Sequence, residues 1–282
     1  MEQTILNAAG VEKRYKTFTL KPTDLAVPGG CIVGLIGENG AGKSTLIKSL
    51  LNIARRDGGT VEVFGKDLDS CEREIKEDIG VVFGDQYFPM NFRARDAARV
   101  MAGIYRNWDQ AQFEAYLERF RLDGGQPIKN YSRGMRMKLN LALAMSHHAR
   151  LLILDEPASG LDPVVREGLL ELLEDFVGDE EHGVLVSSHI ISDLEKVSDY
   201  VALLHRGEML LFEEKDALLE SFALLKCGAG EAEKLPPESV IGMREGTFGA
   251  EILMRRENLP KGAVWEPASL EQILIYHVKE GK

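Results

Sequence analysis

The chain has 282 residues, 44% of them apolar and 28% charged, which is enough to bury the core of one large α/β domain with a small addition. A net charge of −11 makes it a poor electrostatic partner for DNA or an anionic membrane surface, so no nucleic-acid ligand is expected. Cys31, Cys71 and Cys227 are far apart and form no C-x-x-C pair, which argues for a reducing compartment and against a disulfide framework or a zinc site. Cys31, in an apolar strand, reads as a small core residue.

The N-terminus, Met1-Glu2-Gln3-Thr4, lacks the charged and apolar regions of a signal peptide, and no apolar run approaches the length of a membrane span. Residues 4–28 read as short strands, including the alternating Thr17-Phe18-Thr19-Leu20, and Pro28-Gly29-Gly30 turns the chain into an apolar strand over 31–36. Asp57-Gly58-Gly59 reads as a turn, and 60–64 as a strand ending at Gly65. These early strands suggest a small antiparallel sheet. A buried strand over 79–83 opens into the polar loop Gly84-Asp85-Gln86. Residues 95–120 are helical in pattern, broken at Trp108-Asp109, with Asp109 capping the second helix and Ala111, Phe113, Tyr116, Leu117 and Phe120 on one face.

A long helical run follows Tyr131-Ser132-Arg133-Gly134-Met135. Residues 151–154 form a strand too short and too apolar to be anything but buried, and it ends in Asp155-Glu156-Pro157. Asp162 caps the next helix and Pro163 opens it. Residues 184–188 are another buried strand, ending at His189, and 201–204 pairs with 209–212 around Arg206-Gly207. Apolar strands alternating with helices give a mostly parallel sheet. From about Ser221 the chain reads as a small α+β appendage, with strand-like runs at 239–241 and 251–254 and a closing helix whose Ser269 and Gln272 have capping-box spacing.

Strand, glycine-rich loop and helix in that order surround Gly37-Glu38-Asn39-Gly40-Ala41-Gly42-Lys43-Ser44-Thr45. This is the context a phosphate-binding loop requires. The glycines let successive N–H groups point at one anion, and the helix start adds free N–H groups and a positive dipole end. Lys43 is placed to reach the β- and γ-phosphates and the Ser44 hydroxyl to hold Mg²⁺. A chance match to this pattern arises in roughly one chain in a hundred of this length, before the flanking strand and helix are counted. Asp155 and Glu156, at the C-terminal end of a parallel strand, point into the crevice where α/β folds bind ligands. Asp155 suits the Mg²⁺ shell, and Glu156 suits polarising the attacking water.

GENGAGKST, YSRGM, LLILDEP, SGLD and the histidine of SSHI stand in the order and approximate spacing of the ATP-binding subunit of ABC transporters, and residues 4–212 resemble that family. The resemblance implies an α/β P-loop NTPase with a RecA-like parallel-sheet core, an antiparallel β subdomain and a helical subdomain at about 86–150. The ATPase domain would occupy 1–220, with the small C-terminal α+β appendage at 221–282 as an accessory domain. It also implies that two such domains meet head to tail around two MgATP molecules. By type alone Tyr15 is an ordinary strand aromatic; the resemblance makes it the residue that stacks on adenine. Ser132, Arg133, Gly134 and Met135 become the signature that touches the partner's ATP, Asp162 the inter-subunit coupling residue, and His189 the switch histidine, catalytic with Glu156, that bonds the γ-phosphate and the attacking water. His147 and His148 match no such role and read as ordinary helix-end residues.

Two departures stand out. The family usually has Gly at Arg133 and Gln at Met135. It usually has a Gln directly after Phe83 as a Mg²⁺ ligand, where this chain has Gly84 and Asp85 before Gln86; either Asp85 or Gln86 can take that role. The tail and the SRGM variant resemble the type-2 exporter branch, which includes peptide-antibiotic resistance systems. The expected protein is an ATPase motor with ATP and Mg²⁺ as cofactors, cytoplasmic and peripheral on the inner face of the cell membrane. Its expected partners are a second ATPase subunit and an integral membrane permease. The aromatics Phe88, Phe92, Tyr105 and Trp108 suit either a docking groove for the permease or core packing. The alternatives are a soluble non-transport ABC ATPase, whose usual coiled coil, zinc module or second ATPase domain has no counterpart here, and a regulatory ATP-binding module, against which Glu156 and His189 argue.

Overall fold

The computed structural model describes residues 4–84, 88–228, 235–246 and 249–280. Its first two strands, β1 (Thr4–Arg14) and β2 (Thr19–Pro28), pair antiparallel and are longer than the short strands expected. Thr17 and Phe18 fall in the turn between them. Next come β3 (Cys31–Ile36), α1 (Lys43–Leu50), β4 (Gly58–Val63) and the short β5 (Lys66–Asp67). Gly58 and Gly59 belong to β4 and not to a turn: a side chain at Gly59 would overlap the Gly10 backbone, so two glycines let β1 and β4 close on each other. Helix α2 (Leu68–Lys76), capped by Asp67, was not legible in the apolar pattern. Together β2, β1, β4 and β5 form the expected antiparallel sheet.

Strand β6 (Ile79–Phe83) leads through α3 (Ala94–Ile104), α4 (Gln110–Arg119) and α5 (Arg133–Met145) to β7 (Leu151–Asp155). Asp109 caps α4 through the Gln112 N–H at 2.9 Å, as its position suggested. Phe113 and Leu117 are buried between these helices, whereas Ala111 is exposed. Phe88, Phe92 and Trp108 pack against the same cluster, and Tyr105 stacks on His147. The chain continues with α6 (Pro163–Phe176), β8 (Gly183–Ser188), α7 (Ile191–Val197), β9 (Tyr200–His205), β10 (Glu208–Glu214) and α8 (Lys215–Ser221).

The central sheet has strand order β10-β9-β3-β8-β7-β6 and is parallel except at the β10 edge. Side chains along a strand alternate between faces, and here the alternation divides two cores. Val33, Leu35, Leu151, Ile153 and Leu185 pack toward α1 and the antiparallel sheet. Ile32, Ile36, Leu152, Leu154, Val184 and Val186 pack toward α5 and α6. Burial on both faces explains why these strands are uninterrupted apolar runs. Cys31, at the start of β3, is half-buried rather than in the core.

The tail forms a third sheet of β11 (Phe222–Cys227), β12 (Val240–Gly246), β13 (Gly249–Arg255) and β14 (Trp265–Pro267), in the order β12-β13-β11-β14, closed by α9 (Leu270–Glu280). The Ser269–Gln272 capping box is formed: the Ser269 N–H donates to Gln272 Oε1 at 2.8 Å and the Gln272 N–H to Ser269 Oγ at 3.3 Å. Phe222, Leu224, Leu253, Leu270 and Ile273 share one continuous apolar core with Leu169, Leu170 and Val197.

Candidate functional site

Three adjacent parallel strands end side by side. The glycine-rich loop leaves β3, Glu156 and Pro157 leave β7, and His189 leaves β8, which lies between them. The register sets Leu35, Ser187, Asp155 and Phe83 in one row across the sheet. Residues far apart in the chain therefore meet at the C-terminal edge, where α/β sheets bind ligands.

The loop backbone is shaped by glycine where nothing else fits. A Cβ on Gly37 would fall on the Leu204 carbonyl oxygen, and one on Gly42 would lie 2.7 Å from Phe18 Cζ. Gly40 and Gly42 adopt φ of +85° and +113°. Helix α1 begins at Lys43 with no side-chain cap and no acidic residue in its first turn, so its leading N–H groups are left for an anion. Lys43 is buried, and its ammonium donates to the Gly37 carbonyl at 2.6 Å and the Glu38 carbonyl at 3.3 Å. Ser44 is exposed and Thr45 half-buried beside it.

Lys43 Nζ also lies 2.9 Å from Glu156 Oε1, and Glu156 Oε2 lies 2.6 Å from His189 Nδ1. Burial works to raise the Glu156 carboxyl, but hydrogen bonds and charge from Lys43 and His189 outweigh it and hold the group below its ordinary value. Glu156 thus stays ionised, held between the Lys43 ammonium and the His189 imidazole. Asp155 is buried one residue earlier and accepts a hydrogen bond from Ser187 Oγ at 2.6 Å.

A cavity of about 560 Å³ opens over these groups, lined by Tyr15, Phe18, residues 38–40 and 42–45, and Glu156. Tyr15 is half-exposed at its mouth, with Lys13 Nζ 5.5 Å from its ring centre, which leaves a face for a planar ligand. Sequence reasoning missed Phe18, whose aromatic type in a turn beside Tyr15 was the available signal. Ser187 was missed as well, because an uncharged residue in an apolar strand carries no motif.

The signature segment does not line this cavity. Ser132 caps α5 through the Met135 N–H at 3.2 Å and is exposed, as is Arg133. Gly134 is buried against Val165, and Met135 packs into the helical core around Phe113. The Arg133 guanidinium lies over Gly160, in the loop that ends at Asp162. Asp162 caps α6 through the Val164 and Val165 N–H groups, both at 3.1 Å. Asp85 and Gln86 lie outside the described residues. His147 and His148 follow the C-cap of α5, at the helix end as read; His147 is fully buried and stacks on Tyr105 at 3.8 Å, whereas His148 is exposed.

A glycine loop that wraps a buried lysine, opposed by an ionised carboxylate on a nearby strand end, marks the class of P-loop nucleoside triphosphatases. The ABC transporter family profile matches residues 20–159. The chain is 31% identical over 210 residues to the bacitracin transport ATP-binding protein BcrA of Bacillus licheniformis, covering 73% of this chain and 69% of that one. It is 30% identical over 218 residues to the lantibiotic transport ATP-binding protein SrtF of Streptococcus pyogenes, covering 75% and 92%. A solved ATP-binding subunit of an ABC transporter superposes with a TM-score of 0.69 at 26% identity, over 76% of this chain and 91% of that one. The chain belongs to the ABC transporter family as an ATP-binding subunit, an ATPase that works with ATP and Mg²⁺.

Proposed function

We propose that this chain is the motor of an exporter, works as a head-to-tail pair, and drives a separate membrane permease. The observation that carries the pairing is the split of the site: the cavity holds the phosphate loop and Glu156, while Ser132 and Arg133 are exposed outside it. In this reading Ser132, Arg133 and the Gly134 and Met135 backbone at the start of α5 cover the phosphates bound by a second chain, and Asp162 couples the two sites. Among the described residues no helix is long and apolar enough to cross a membrane, so the reading assigns the passage to the permease and places this chain at the inner membrane face. We divide the chain into an ATPase domain (1–220, with the helical part at about 86–150) and an accessory domain (221–282). The transport names of BcrA and SrtF point to a peptide antibiotic as cargo.

Within the site, Tyr15 stacks on adenine, and residues 37–45 hold the phosphates with backbone N–H groups and Lys43. Ser44 and Asp155 offer only oxygen donors, which fits a hard cation such as Mg²⁺, and Asp85 or Gln86 completes that set. Mg²⁺ held by these oxygens would neutralise charge on the phosphates. Glu156 takes a proton from the water that attacks the γ-phosphorus, and His189 orients its carboxylate. Nucleotide binding draws Lys43 away from Glu156, which frees the base only when substrate is present.

Glu156→Gln should keep ATP affinity and lower turnover by about 10²–10⁴-fold, measured as phosphate release beside equilibrium nucleotide binding. Unchanged hydrolysis removes Glu156 from this role.

A further inference from the structure

We propose that Ser187 is a positioning residue that sets both carboxylate-bearing residues of the site through a single hydroxyl; this rests on the roles given above to Asp155 and Glu156. Ser187 is fully buried and stands opposite Asp155 in the β7–β8 register. Its O–H donates to Asp155 Oδ1 at 2.6 Å, and the same oxygen accepts the Glu156 N–H at 2.9 Å. A hydroxyl has one donor and two acceptor sites, so it can serve both partners at once. An alanine or valine there would leave a buried carboxylate oxygen and a backbone amide short of a partner.

The second bond explains how two consecutive acids come to face one site. Successive side chains of a strand point to opposite faces. Asp155 shares the parity of Leu151 and Ile153, which face α1, so a continued strand would send Glu156 to the other side. The chain breaks the alternation at Glu156 itself, which takes φ of +53°. A non-glycine residue keeps that left-handed conformation only where its surroundings hold it. The Ser187 bond holds it at its own amide, and the turn brings the Glu156 carboxylate to Lys43 and His189. One hydroxyl therefore fixes the rotation of the Asp155 carboxylate and the backbone turn that aims the base.

The discriminating pair is Ser187→Thr and Ser187→Val, equal in shape but differing in the hydroxyl. Binding of Mn²⁺ in the presence of a non-hydrolysable ATP analogue is read by electron paramagnetic resonance, beside the Mg²⁺ dependence of turnover. Ser187→Val should bind the metal about 10–100-fold more weakly than Ser187→Thr, with metal-free nucleotide affinity unchanged. Turnover at saturating Mg²⁺ should also fall in Ser187→Val and be retained in Ser187→Thr. Equal metal affinity and turnover in the two variants overturns the proposal. Asp155→Asn run alongside separates the layers: if it leaves metal binding intact, the role of Asp155 fails and this proposal falls with it. Should Ser187→Val not fold, native-state hydrogen exchange of the parent protein decides. A Glu156 amide protected like the core strands supports the bond, and one exchanging like an open loop overturns it.

Discussion

At the scale of single residues, the same side-chain type takes opposite roles according to what surrounds it. His189 is partly exposed at the end of β8, 2.6 Å from a carboxylate. His147 is sealed in the core, stacked on Tyr105, with Nε2 3.2 Å from the Ile79 carbonyl oxygen. Burial pushes the His147 imidazole below its ordinary value, against the opposing pull of its backbone partners. A lowered folded value means that the neutral form is favoured in the fold. Its contribution is therefore fully present above the unfolded value near 6.5 and is lost as pH falls through the lower folded value. Urea unfolding at pH 7.5 and 5.5 should show a loss of stability on acidification that shrinks in His147→Phe. The SSHI motif and the resemblance it carries picked out His189 and left His147 without a role; only the structure showed that His147 is sealed in the core.

At the scale of elements, the loops between strands and helices carry the chemistry, and their conformations are the least legible part. The loop from Glu156 to Asp162 contains two left-handed residues, Glu156 and Gly160. The glycine leaves the space over which Arg133 lies, so the start of α5 touches the start of α6 within one chain. This gives the glycine-to-arginine change in the signature a local partner that no reading of spacing could supply. Arg166 on α6 also holds the same loop, with Nη2 3.4 Å from the Leu161 carbonyl, and its Nε lies 3.6 Å from the buried Asp193 on α7. Gly160→Ala should cost about 1–2 kcal/mol from left-handed strain, and the flexible Arg133 can swing aside. Thermal unfolding should therefore show the same loss in the parent and in Arg133→Gly; a loss confined to the parent would mean that the guanidinium, not the backbone, sets the constraint.

At the scale of the whole molecule, the tail is less separate than its composition suggests. Phe222 and Leu270 are at most 1% exposed, in the same core as Leu170 and Val197. Within the tail, Arg255 lies 5.2 Å from the Phe222 ring and His277 meets it edge-on at 5.5 Å, so the same ring also anchors the tail's own elements. Phe222→Ala should cost about 3–5 kcal/mol and lower one shared calorimetric transition, including the part stabilised by nucleotide. A separate low-temperature transition, with the nucleotide-stabilised one unmoved, would mean that the tail unfolds independently.

The amino-acid sequence by itself determined the ligand class, because the glycines, Lys43 and the flanking strand and helix are local and their spacing is their chemistry. It determined the parallel sheet too, since strands buried on both faces must be continuous apolar runs. Only the tertiary structure decided which groups meet: Ser187 with Asp155 and Glu156, Arg133 with Gly160, Glu156 with both Lys43 and His189. Those contacts depend on strand order and register, which place β8 between β3 and β7, and on backbone turns that hydropathy does not encode.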